Sequence, residues 1–152
     1  MKASYRVIFA ALILIAAGAG ASRLFSGENL AQGAQKTTSD VDRGHYLVDN
    51  VAMCSECHTP RDAAGNLDNS RYLHGAQIWI TPVHPMTNWA MRAPGLSGLV
   101  GFTDQQLETI LEKGVGPDGL SIQPPMHIYH MNHADADAIA AYLRSLPSSY
   151  PQ

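Results

Sequence analysis

Apolar positions in this chain gather into three helix-like stripes, separated by stretches that show no period. Val41, Leu47, Val48 and Val51 recur at helical spacing and predict a helix over residues 40–53, with Ser39 as its N-cap. Leu107, Ile110 and Leu111 form a second stripe over 103–113. Thr103 and Gln106 stand at capping-box spacing ahead of it, and Gly114 stops it. Ile139, Tyr142, Leu143 and Leu146 form a third over 133–146, opened by Asn132 and ended by Pro147. Between them, residues 59–101 carry Pro60, Pro82, Pro85 and Pro94 among glycines and aromatics, and 114–132 carry Pro117, Pro124 and Pro125. No strand-like alternation and no internal repeat is read. The expected class is all-α, with three or four helices joined by irregular loops.

The N-terminus has a different texture. Lys2 and Arg6 precede an unbroken apolar or glycine run from Val7 to Ala21, and Ala19-Gly20-Ala21 makes a small-residue cleavage site. That run of 15 residues is short of the roughly 20 needed to span a bilayer. Residues 1–21 therefore predict a cleaved signal peptide, with an uncleaved anchor through residues 7–21 as the alternative. Residues 22–38 then form a linker and 39–152 one domain. Either way the domain is exported, to the periplasm or the outer face of the cytoplasmic membrane.

Charge changes the picture of partners. The formal net charge is −3. From Ala34 onward there are seven Lys and Arg against twelve Asp and Glu, a balance near −5. No nucleic-acid footprint is expected. A partner of complementary positive charge would meet such a surface faster.

The chemistry concentrates in five residues. The two cysteines of the chain, Cys54 and Cys57, are followed at once by His58 in Cys-Ser-Glu-Cys-His. This is the pattern of covalent haem attachment. Two thiols must reach the two vinyl groups of one porphyrin, and the next residue must bring an imidazole under the iron; a spacer of two residues allows the single tight turn that does both. A redox dithiol belongs at a helix N-terminus in a strand–helix setting, and here the motif follows a helix and precedes a proline loop. Structural zinc wants four ligands, and no second pair has that spacing. Export agrees with haem attachment, and a single motif predicts a single haem c.

Beyond this motif, the chain resembles the class I c-type cytochromes from about Asp42 to Leu146. Gly44 and Tyr46 on the first helix, Ala93-Pro94-Gly95-Leu96-Ser97-Gly98 and Ile139-Ala140-Ala141-Tyr142-Leu143-Arg144 match family segments in order. More narrowly, Cys57-His58-Thr59-Pro60-Arg61-Asp62 and Pro124-Pro125-Met126 resemble bacterial cytochromes that accompany periplasmic dehydrogenases. The resemblance implies a cytochrome c-like fold around one covalently bound haem, with the first and last helices crossing at Gly44. It implies His58 as one iron ligand, with the Pro94 carbonyl on its far nitrogen, and Met126 as the other. His127 next door stays open as a histidine alternative. Trp89 and Arg92, with Trp79, are candidates to contact the haem propionates. The chain departs from compact members in the thirty-five residues between His58 and Pro94, and the role of this added loop is not given by the resemblance.

The function so implied is one-electron transfer between redox proteins, a dehydrogenase donor and an oxidase or second cytochrome as acceptor. The rival readings are a haem subunit fixed in a membrane-associated dehydrogenase or oxidase complex, and an enzyme with five-coordinate haem acting on peroxide or a small gas. No base–nucleophile pair, acid pair or phosphate loop appears, so a catalytic role independent of haem is not expected.

Overall fold

The computed structural model describes residues 38–148; the signal or anchor segment, and all but the last residue of the linker, lie outside them. Four α-helices are present among the described residues: α1 (Thr38–Tyr46), α2 (Cys54–His58), α3 (Asp104–Lys113) and α4 (His133–Ser145). No helix among these residues is long and apolar enough to cross a membrane.

Helix α1 begins before Ser39, so that residue lies inside the first turn. The helix also does not run to residue 53. It passes into a π-helical turn, Leu47–Val51. Met53 then takes a left-handed conformation (φ 50°), which separates that turn from α2. The wider turn keeps Leu47 and Val48 buried. It also carries Asp49, which accepts the Tyr72 hydroxyl at 2.7 Å and pairs with His45 at 3.1 Å. Burial and the neighbouring Asp49 and Tyr142 hydroxyl push the Tyr72 phenol well above its ordinary range.

Helices α3 and α4 begin as expected. Thr103 accepts from the Gln106 amide while Gln106 returns a bond to the Thr103 amide, satisfying two donors the helix start leaves open. Gly114, at φ 68°, closes α3. Asn132 caps α4 through the Asp135 amide. Helices α1 and α4 cross at Gly44, where a β-carbon would collide with the Ala138 carbonyl and with Cβ of Tyr142. Hydrogen here is a condition of the crossing. The core is continuous from Leu47 and Val48 through Leu73 and Leu99 to Ile139 and Leu143.

The expectation of a wholly α fold needs one correction. The chain is helix-rich, with a small antiparallel sheet of β1 (Ala76–Gln77) and β2 (Arg92–Ala93) at the base of the added loop. The Ile78 amide continues the ladder to the Met91 carbonyl at 3.0 Å. Two-residue strands leave too short an alternation to read in a sequence.

Candidate functional site

Helix α2 is a single turn, and its Cys-x-x-Cys-His sequence points one way. Cys54, Cys57 and His58 line an apolar cleft with about 1040 Å³ of open space. Ala52 and Met53 approach it from the chain before α2. Leu107 and Leu111 line it from α3, and Ile139 and Leu143 from α4. The loop after α3 contributes Met126, His127 and Tyr129. The same helical stripes that build the core therefore turn part of their apolar surface onto the cleft.

His58 is oriented from outside the cleft. Its Nδ1–H donates to the Pro94 carbonyl oxygen at 2.8 Å, which leaves Nε2 as the nitrogen able to bind a metal. Burial lowers the imidazole pKa, partly offset by the Pro94 bond. The ring is thus held neutral, as a ligand nitrogen must be. The His58 carbonyl accepts from the Gly75 amide at 2.7 Å, and buried Thr59 accepts the Leu73 amide at 3.0 Å through its hydroxyl. These two bonds fasten the end of α2 to the loop that leads to β1.

Both cysteines are half-buried. Burial pushes the Cys54 thiol up to about 12, against a favourable backbone bond, and burial followed by neighbouring Glu56 raises Cys57. A redox-active dithiol needs the opposite shift. Among the described residues, no cluster of three or more His, Cys, Asp or Glu is gathered to hold a metal ion. Two thiols, one oriented neutral imidazole and a thioether, all on the wall of one apolar cleft, fit a haem joined by both cysteines.

Other expected residues lie elsewhere. Trp89 and Arg92 are not among those lining the cleft; Arg92 lines a separate recess with Trp79. Met86 and Met91 are exposed and away from it. Met131 packs against the core. Met53, which adjoins Cys54 in the sequence, also lines the cleft, while remaining 58% exposed.

Three lining residues escaped the sequence reading. Tyr129 lines the cleft and donates to the Ala52 carbonyl at 3.0 Å, bracing the loop after α3 against the chain ahead of Cys54. Ile78 and Ile80 come from the added loop. Their spacing of two, with exposed Trp79 between, was the available signal. That loop is tied to the loop after α3 by the Ala90 amide, which donates to the Pro124 carbonyl at 2.8 Å.

No family model matches the chain. It is 38% identical, over 116 residues, to the fructose dehydrogenase cytochrome subunit of Gluconobacter japonicus, a match covering 72% of this chain and 22% of that protein. The chain is homologous to c-type cytochromes. Further relatives are the cytochrome c subunit of the quinone alcohol dehydrogenase of Gluconobacter oxydans, at 29% over 79% of this chain and 27% of that protein, and a diheme c-type cytochrome of Cereibacter sphaeroides, at 29% over 72% and 36%. The chain thus spans well under half the length of these c-type relatives.

Proposed function

We propose that the chain is an exported, monohaem electron carrier with a cytochrome c-like fold. One haem c is joined to Cys54 and Cys57 by thioether bonds, and its iron is ligated by His58 Nε2 and by Met126. The observation that carries this reading is the meeting of both thiols, His58 and Met126 on one apolar cleft, with His58 already oriented by Pro94. When bound, the haem supplies a one-electron couple whose potential is raised by His/Met ligation. The chain's own part is to hold it. Pro94 fixes the imidazole, and the Leu107, Leu111, Ile139 and Leu143 side chains exclude water and keep the local dielectric low. Tyr129 steadies the loop that presents Met126. We leave Trp89 and Arg92 without a propionate contact in this reading, because neither borders the cleft.

The names of the relatives favour a second form of the same function, in which the chain serves as the haem subunit of a dehydrogenase complex. Co-purification from gently solubilised membranes separates the two: a free shuttle leaves with the soluble periplasmic fraction, a subunit stays with a dehydrogenase. Ligation is tested by Met126→Ala beside Met53→Ala and His127→Ala. Loss of the near-infrared sulfur–iron band and a lower potential are expected in Met126→Ala alone. Survival of the band there would assign the ligand to Met53 or another thioether, and a five-coordinate wild type would reopen the peroxide or small-gas reading.

A further inference from the structure

The added loop between His58 and Pro94 has two sides of different character. Ile78 and Ile80 face the cleft. Trp79 is 59% exposed, Val83 93%, Met86 46% and Met91 70%. Beside this apolar surface lies a second recess with about 890 Å³ of open space, lined by Arg61, Arg71 and Arg92 together with Gln77, Ile78 and Trp79. No carboxylate among the described residues lines it. The Arg61 guanidinium sits 4.7 Å from the Trp79 ring and is held by Glu56 and the Gly65 carbonyl. Arg71 meets Asp68 through Nε, at 2.7 Å. The Arg92 backbone pairs with Gln77 in the sheet, and its guanidinium has no hydrogen-bond or ion-pair partner among the described residues. Half of the six Lys and Arg among those residues are therefore gathered at one recess of an otherwise acidic domain.

We propose that the added loop and its arginine recess form a docking surface for a redox protein whose contact face is acidic around an apolar centre. Exposed Trp, Met and Arg are the residue types that interfaces concentrate. The charged side chains that line the recess are all arginines; Arg61 and Arg71 are each paired with a carboxylate set outside the lining, and Arg92 adds a further positive charge, so the complementary partner face is acidic, even though the whole domain carries negative charge. The surface adjoins the segment after β1, where Ile78 borders both the recess and the cleft and Ile80 lines the cleft, so a protein docked there sits beside the cleft wall. This inference rests on the electron-carrier reading. Steering is then governed by the local positive patch rather than by the net charge, reversing the expectation from composition.

The test uses the full holoprotein, with a pyridine haemochrome spectrum first showing that haem is present; its absence would fail the electron-carrier reading and leave the surface to the NMR arm below. In stopped flow, the reduced protein is oxidised, one electron per molecule, by a small acidic blue-copper protein at increasing salt. Wild type should slow by on the order of tenfold between low and high salt, while Arg71→Gln/Arg92→Gln loses most of that slope. Trp79→Ser should slow the copper protein but not hexacyanoferrate(III). Independently of turnover, the inert paramagnetic anion hexacyanochromate(III) should broaden amide resonances around residues 76–79 and 92 in wild type and not in the arginine variant. Four results would overturn the proposal: a wild-type rate that rises with salt as the net charge dictates; broadening centred elsewhere; a changed reduction potential in Arg92→Gln with an unchanged salt slope, which marks a propionate contact; or arginine-dependent sedimentation with phosphatidylglycerol vesicles, which marks a membrane face.

Discussion

Helix α4 presents two apolar sides, and they are finished in different ways. On one side Ala138 and Tyr142 close on Gly44 of α1 without room for a methyl group. On the other, Ile139 and Leu143 are buried in the core and also border the cleft. The first side is complete as protein against protein. The second is shaped for an apolar partner that the polypeptide does not provide. A packed interface tolerates almost no added volume, whereas a cofactor wall contributes its full packing energy when the cofactor is in place.

The sharpest way to break this contrast is at the crossing. Gly44→Val should destabilise the protein by more than about 4 kcal/mol, because its side chain meets backbone that cannot yield. Denaturant unfolding of protein with and without haem should show the loss in both. Ile139→Ala should instead cost about 2–5 kcal/mol in the haem-loaded protein, the range for opening a cavity in a packed core. In the haem-free chain it should cost less, since the contacts a cofactor adds on the cleft side are then absent. Equal losses in the two forms would show that the side bordering the cleft is ordinary core.

The parts that were legible in the sequence are those fixed by local rules. Thr103, Gln106 and Gly114 bound α3, and Asn132 opens α4, because caps satisfy donors within a few residues. The Cys54–His58 motif was legible from its own spacing, Gly44 and Pro94 through the family resemblance, and the His58 ring donates to the Pro94 carbonyl. What escaped is set by closure over distance. The π-helical turn at Leu47–Val51 leaves the same apolar pattern as an α-helix, and nothing local announces the left-handed Met53. Tyr129 reaches the carbonyl of Ala52 across 77 residues. Arg92 was assigned by residue type alone, and the β1–β2 pairing turns it to the recess rather than the cleft.

Smaller effects sharpen the comparison at its edges. Tyr72→Phe removes the hydroxyl shared between Asp49 and Tyr142 and should cost about 2 kcal/mol, the scale of a hydrogen bond to a charged acceptor. Urea titration of the variant beside Asp49→Asn tests whether the π-helical turn depends on that bond; non-additive losses are expected. Thr103→Ala removes the α3 cap and should cost about 1 kcal/mol, seen as a modest fall in Tm with an unchanged haem spectrum.

The central claim is that Cys54 and Cys57 hold one haem covalently on the cleft beside His58. Intact-mass measurement of the purified protein, matured with the c-type system and extracted with acid acetone, tests it most directly. The predicted result is a polypeptide heavier by one haem, with Cys54→Ser/Cys57→Ser recovered at the mass of the bare chain. A wild-type chain that also emerges bare, with its colour in the acetone, would contradict the account.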